Sequence, residues 1–251
     1  MEDGINEPKT EFPVRKLLKQ GDVVVGYPAF GPNWYSNNLQ EMQTSYSHPL
    51  TGEKITFREP TTRESIVAAA YNFAELAKPQ IFDPRWLQAG RVVRTSDGVY
   101  ANVPKDEQGK PITDTDTLKA MLKDTNKIKV RNGHVYLGKN DFGFAEYSTF
   151  EQGKQDCDTF AEGGLARVLE HTDGVAQNLR TIASPKHYKR GVNVANFESV
   201  KDPVVRVVGL DSVRYLYGYR LYVDGYNWYD SSDGCAFGGL SSAEGTAQKS
   251  K

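Results

Sequence analysis

A chain of 251 residues can form one large domain with a real core, or one domain carrying an elaborate arm. It is 38% hydrophobic and 25% charged with a net charge of −1, a polar but globular composition, and the missing basic excess argues against nucleic acid as main partner. No run approaches the roughly 18 apolar residues of a membrane span, so membrane insertion is not expected.

The opening MEDGINEPKTEFPVRK is acidic and polar and does not read as a secretory signal, so the default expectation is a cytoplasmic protein. The only strong strand in the first sixty residues is Asp22 to Tyr27, ending at Pro28. PAFGPNWYSNN reads as ordered loop, and HPLTGEKITF as a hairpin turning at Thr51-Gly52. Thr61 and Glu64 form a capping box, each side chain satisfying the other's free backbone N–H. Ile66, Ala69, Ala70 and Phe73 follow at helical spacing, with Leu76 or Ala77 next, until Pro79 stops the run. RVVRTSDGVYANV predicts a hairpin with Asp97-Gly98 at its turn. A short helix is expected near Thr117 to Thr125, capped by Asp114 or Asp116, and NGHVYLG reads as a strand. Thr159 and Glu162 make a second capping box, opening a helix that carries Leu165, Val168 and Leu169 and ends near Gly174. Another amphipathic piece covers Val175 to Ala183, and from Gly191 onward everything reads as strand and turn. Residues 1–60 read as an arm with first strands integral to the domain, 61–240 as the main domain, and 241–251 as a flexible tail.

Catalytic patterns are thin. Asp141-Phe142-Gly143 spells the magnesium-binding triplet of kinases, but the glycine-rich loop and H-R-D motif that give it meaning are missing. His48, His134, His171 and His187 have no metal-ligand spacing. Cys157 and His171 are fourteen residues apart on or beside one expected helix, about 20 Å along its axis, too far for a thiolate–imidazolium pair. Two cysteines, Cys157 and Cys235, make neither a disulfide framework nor a zinc site, and read as ordinary thiols. The expectation is therefore no catalysis, no cofactor and no metal.

The informative stretch is Val213 to Asp233. It holds six of the fourteen tyrosines, at 215, 217, 219, 222, 226 and 229, where an even spread would place about one. Alternation puts Tyr215, Tyr217 and Tyr219 on one face. After a phase change near Arg220, Leu221 and Val223 lie on the inner face, with Tyr222, Asp224 and Tyr226 outside. A second break at Gly225 lets Trp228 rejoin the core. Tyrosines of this kind can brace a sheet edge. They can equally make a recognition surface, because Tyr offers rigid contact area and a hydroxyl at low entropy cost, while Ser, Gly and Asn add adaptable hydrogen bonds.

The codon table sharpens the second reading. If outward positions were encoded AAC or AAT and only adenines were randomised, Asn would yield Tyr, Asp, Ser, Gly and others, with no stop. Trp, Lys, Glu, Gln and Met would be unreachable. From Pro203 to Ala243 there is no Lys, Glu, Gln or Met; those types supply 46 of the 251 residues, so seven or eight would be expected in these 41 positions. Trp228 must then belong to a fixed frame.

On these residues, Arg206 to Leu240 resembles the variable proteins of diversity-generating retroelements, whose C-terminal segment is rewritten by adenine-directed mutagenesis. The resemblance lies in tyrosines interleaved through Leu221, Val223, Gly225 and Trp228, closing in Gly234-Cys235-Ala236-Phe237-Gly238. GGLARVLEH, residues 163–171, is similar to archaeal members. About a sixth of the chain carries the specific part of the match. The resemblance implies an α+β C-type lectin fold, with two helices, best matched by 62–77 and 160–172, packed on small twisted antiparallel sheets. It implies a non-catalytic, receptor-like protein that binds a protein or other macromolecular ligand through a variable segment at about 211–240. The outward positions it implies are Tyr215, Tyr217, Tyr219, Tyr222, Asp224, Tyr226, Asn227, Tyr229, Asp230, Ser231, Ser232 and Asp233, with Val213, Arg214 and Arg220 as secondary additions.

Calcium-dependent sugar-binding lectins use E-P-N or Q-P-D with W-N-D, and this chain has only Trp228-Tyr229-Asp230 near the last, so a sugar-bridging calcium is not expected. Two alternatives stay open. Formylglycine-generating enzymes share a related fold and use a cysteine pair, which would require Cys157 and Cys235 to meet. A structural or assembly protein with a fixed tyrosine-rich surface, its N-terminal region making an oligomer contact, is the other. Neither ligand identity nor oligomeric state follows from the sequence.

Overall fold

The computed structural model describes residues 15–75, 86–213, 220–225 and 234–241. The β-branched run forms β2 (Val23–Tyr27), and β1 (Lys16–Gln20) pairs with it across a turn at Gly21, whose φ of +60° suits glycine. The expected loop at PAFGPNWYSNN gives way to a helix, α1 (Tyr35–Met42). Its N-terminus has no side-chain cap, and its buried residues Tyr35, Asn38 and Met42 fall on one face, so packing rather than a local signal holds it. The hairpin at Thr51-Gly52 is present, with β3 (Tyr46–Ser47) antiparallel to β4 (Lys54–Ile55); β5 (Phe57–Arg58) follows.

α2 (Thr62–Glu75) starts where the capping box places it: Glu64 N–H donates to Thr61 Oγ1 at 3.2 Å, and Thr61 N–H to Glu64 Oε2 at 2.9 Å. β6 (Trp86–Arg94) and β7 (Gly98–Ala101) form the expected hairpin, with Arg94 opposite Val99. α3 (Thr115–Met121) is capped by Asp114, which accepts from Thr117 N–H at 2.8 Å, so it begins earlier than Thr117. β8 (Asn126–Val130) and β9 (Gly133–Leu137) make a second hairpin, followed by β10 (Gly143–Glu146) and β11 (Gly153–Gln155).

The single helix expected over 160–172 is two helices, α4 (Cys157–Glu162) and α5 (Gly164–Glu170). The Thr159–Glu162 box is not the start. Asp156, three residues earlier, accepts from Thr159 N–H at 2.8 Å and from its hydroxyl at 2.7 Å. The break comes at Gly163, which is extended (φ −72°, ψ 154°). α6 (Gln177–Ile182) lacks a cap of its own at Ala176; the buried Glu170 carboxylate, at the end of α5, accepts from the N–H groups of Asn178 and Leu179, both at 3.1 Å. Strands β12 (Val192–Ala195), β13 (Val204–Val213), β14 (Arg220–Asp224), β15 (Gly234–Cys235) and β16 (Gly239–Leu240) complete the chain.

The result is α+β. Where small sheets were expected, there is one wide sheet in the order β11-β12-β14-β13-β6-β7-β10-β9-β8, with β15 beside β6. It is antiparallel except at β12–β14 and β15–β6. A second sheet, β1-β2-β16-β5, ties the end of the described chain to its beginning. Period-2 alternation divides the wide sheet into two faces. Val208 and Leu210 of β13 point into the main core with α2, α4, α5 and α6, whereas Val205 and Val207 point the other way. That second face carries an aromatic patch with α1 (Phe30, Tyr35, Phe57) and another beneath α3 (Tyr100, Phe142, Phe144).

Candidate binding surface

Of the twelve residues expected to face outward, Tyr222 and Asp224 lie within the described structure. Tyr215, Tyr217, Tyr219, Tyr226, Asn227, Tyr229, Asp230, Ser231, Ser232 and Asp233 lie outside the described residues, as do Arg214 and Trp228. The two that are described follow the expected alternation. Leu221 and Val223 are fully buried in the main core, while Arg220, Tyr222 and Asp224 are partly exposed on the opposite face.

Neighbouring strands extend that face. Asp211 of β13 and Asn193 of β12 stand opposite Tyr222, and Gly209 and Ala195 stand opposite Asp224. Cross-strand partners share a face of the sheet, so Tyr222 sits between Asn193 and Asp211. Asp224 accepts from Asn196 Nδ2 at 2.8 Å. Burial raises the Asp211 carboxyl to about 6; the nearby Asp224 charge adds to this, and a hydrogen bond from the Ser212 backbone opposes it. The Trp86 ring lies over Gly209, where a Cβ would approach it to 2.8 Å. Sequence reading missed Asp211, Asn193 and Trp86 as parts of this surface. The one available signal was Asp211 itself, an acid within the apolar run VVRVVGLDSV.

The expected variable stretch interrupts the described chain twice, and the frame holds every flank. Residues 214–219 join Val213 to Arg220, which are paired across β13 and β14. Residues 226–233 join Gly225 to Gly234. Gly225 N–H donates to Ala195 O at 3.1 Å, and a Cβ there would meet Asn196 O at 2.7 Å. Gly234 O accepts from Asn33 N–H at 2.9 Å and from Asn38 Nδ2 at 3.0 Å. Asn38 also donates to Gln88 Oε1 at 2.8 Å, and both side chains are fully buried. A Cβ on Gly234 would sit 2.2 Å from Gln88 Nε2. Downstream, Cys235, Ala236 and Phe237 are core residues, and Gly238 passes so close to Phe30 and Phe57 that a Cβ would lie 2.7 Å from the Phe30 ring.

The remaining candidates fall into structural roles. Asp141 is a junction: its carboxylate accepts from Thr61 Oγ1 at 2.8 Å and lies 3.7 Å from His171 Nδ1, while its carbonyl accepts from Asn102 Nδ2 at 2.9 Å. Neither Cys157 nor Cys235 is in a disulfide. Cys157 follows β11 and Cys235 is in β15, five strand spacings away, on the order of 20 Å across the sheet. Burial, then the Asp158 and Asp156 charges, raise the Cys157 thiol above its ordinary value, which disfavours the thiolate. Among the described residues, no group of three or more His, Cys, Asp or Glu is arranged to hold a metal ion. No helix among them is long and apolar enough to cross a membrane.

No protein family, curated protein or solved structure was found to match this chain.

Proposed function

We propose that this chain is a non-catalytic binding protein of the C-type lectin kind, whose C-terminal segment is diversified by a retroelement to recognise varied ligands, chiefly protein surfaces. The observation that carries this reading is compositional: six tyrosines within 21 residues, inside a 41-residue window without Lys, Glu, Gln or Met. The frame around the segment supports it. The glycines that bound 226–233 sit where an added Cβ would come within 2.7 Å of Asn196 O and 2.2 Å of Gln88 Nε2, so a side chain at either requires its neighbour to shift. Fixed anchors of this kind are what a display surface requires of its frame. Tyr222 and Asp224 meet the same condition on the sheet itself, partly exposed while Leu221 and Val223 alternate with them as core.

Sequencing the gene locus tests the proposal. The expected result is a nearby near-copy of the gene's 3′ end, differing mainly where the copy has adenine, beside a reverse transcriptase gene. A lone gene without such a copy would sink the diversification reading and leave only a fixed tyrosine-rich binding surface.

A further inference from the structure

α1 packs on the second face of the wide sheet, the face that carries Tyr222 and Asp224. Its entry loop is tied to Gly234, the downstream end of residues 226–233. Gly234 pairs with Trp86 of β6, and its carbonyl accepts from Asn33 N–H at 2.9 Å, which sets the next residue, Trp34, beside that end. Phe30 and Ala236 exchange backbone hydrogen bonds of 2.7 and 3.0 Å, and a Cβ on Gly31 would come within 2.6 Å of Gly234 O. Trp34 thus stands on a rigid seat.

Folding gives little account of a tryptophan there. Trp34 is the N-cap of α1, where Ser, Thr, Asp or Asn would accept from the free N–H groups, and it makes no such hydrogen bond. It is 36% exposed, while its neighbour Tyr35 is fully buried. The exposed side chains around it are Pro32, Ser36, Asn37 and Gln40, all uncharged. From Pro28 to Gln40 there is no charged residue, where the chain's 25% would place about three in thirteen. The open face of a solvated helix ordinarily carries charge. Trp, Ser and Asn without charge is instead the composition of a recognition surface. A residue that breaks a local folding rule without joining the core points to function. Trp, Tyr and Arg dominate binding energy at interfaces, and of these three only Trp is unreachable from AAC or AAT by changing adenines. A segment diversified in that way would need its frame to supply one.

We propose that Trp34, flanked by Ser36 and Asn37, is a fixed anchor of the binding surface, its indole entering an apolar recess on a protein ligand whichever side chains the tyrosine-rich stretch carries. This rests on the binding role proposed above. The occupant is a protein because the centre of a protein interface is depleted of charge and enriched in aromatic rings, as this strip is. A hydroxyl-rich sugar would want free hydrogen-bonding groups around the ring, and the nearest amide donor, Asn37 Nδ2, is already engaged by Asn33 Oδ1 at 3.0 Å. The rigid seat keeps the ordering cost of binding low.

Display libraries of the full chain test this. They vary Tyr222, Asp224 and the positions within 214–219 and 226–233 that alternation predicts to face outward, and are panned against lysozyme, streptavidin, ubiquitin and the glycoprotein ovalbumin. In clones raised against each of the first three, Trp34→Ala is expected to weaken binding about tenfold or more. Trp34 also has buried area, so a second measurement leaves the ring in place. Its indole N–H signal in a nitrogen-15 correlation spectrum, assigned by its loss in Trp34→Phe, is expected to shift when lysozyme saturates its clone. Full affinity retained by Trp34→Ala in most clones overturns the proposal. An unmoved Trp34 signal does so too, even beside a loss of affinity, since the loss would then come from a loosened α1. Clones that bind ovalbumin alone, and release it after deglycosylation, would make the ring a sugar platform and overturn the protein reading. Libraries that yield no binder sink the binding role and the anchor with it, whereas binders indifferent to Trp34 sink the anchor alone.

Discussion

Asp211, opposite Tyr222 on the sheet, shows what a single residue on that face costs the fold. Its carboxyl titrates near 6 in the folded protein against an ordinary 3.8. A folded value above the unfolded one means the native state holds the proton more tightly, so the stabilising contribution is complete below about pH 4 and lost as pH rises through 6. At pH 7 the buried charge therefore works against folding. Asp211→Asn keeps the shape and removes the charge. It is expected to raise stability at pH 7 by about 2 kcal/mol, after allowing for partial exposure, and to flatten the decline between pH 4 and 6. Urea denaturation of both proteins at pH 4, 5, 6 and 7 reads this directly; parallel curves would mean that Asp211 is solvated. The helix-capping aspartates act in the opposite sense. Asp114 is held low by the hydroxyl and then the N–H of Thr117, and Asp156 by the N–H and then the hydroxyl of Thr159, so their contribution is complete above the ordinary carboxylate value of 3.8 and lost as pH falls below it, through their lowered folded values.

Elements signalled locally were legible in the sequence, and elements signalled from a distance were not. The Thr61–Glu64 box, the Asp97-Gly98 hairpin and the β2 run each contain their own instructions within a few residues. α1 has no side-chain cap and depends on Phe30, Phe57 and Ala236, the last some 200 positions away, to form its aromatic patch. The Thr159–Glu162 pattern misled because Asp156, a stronger acceptor three residues earlier, captures the Thr159 N–H first. α6 shows the limit of local reading most plainly, since its first turn is capped by a carboxylate from the preceding helix. Glu170→Ala would strand the buried Leu179 N–H and the half-buried Asn178 N–H and is expected to cost about 2–3 kcal/mol. Thermal denaturation would register it as a clear drop in midpoint, and an unchanged midpoint would show that water replaces the carboxylate without penalty. In β14 the alternation of Leu221, Tyr222, Val223 and Asp224 was legible because the strand lies between two others, and a one-residue slip would bury the wrong set. Asp211 and Trp86 were not, because their membership depends on which strands β13 and β6 choose as neighbours.

At the scale of the molecule the decisive property is separation of frame from surface. The flanks of the tyrosine-rich stretch are built into the two largest sheets: β14 between β12 and β13, β15 on β6, and β16 between β2 and β5. Most of the chain thus holds four short flanks in place, and that has a measurable asymmetry. Gly225→Ala and Gly234→Ala push a methyl against Asn196 O and the Gln88 side chain, so each is expected to cost about 1–3 kcal/mol. Tyr222→Ser, one strand residue away from Val223 and on the open face, is expected to change stability by less than about 1 kcal/mol. A pooled library that varies Tyr222, Asp224 and the positions within 214–219 and 226–233 that alternation predicts to face outward is therefore expected to fold as a population. A matching library at Leu221, Val223, Gly225 and Gly234 should fail. Protease resistance of displayed variants, counted by sequencing before and after digestion, separates the two. Equal survival would mean that the tyrosine-rich stretch belongs to the core no less than its flanks do, and the tyrosines would then be bracing a sheet rather than presenting a surface.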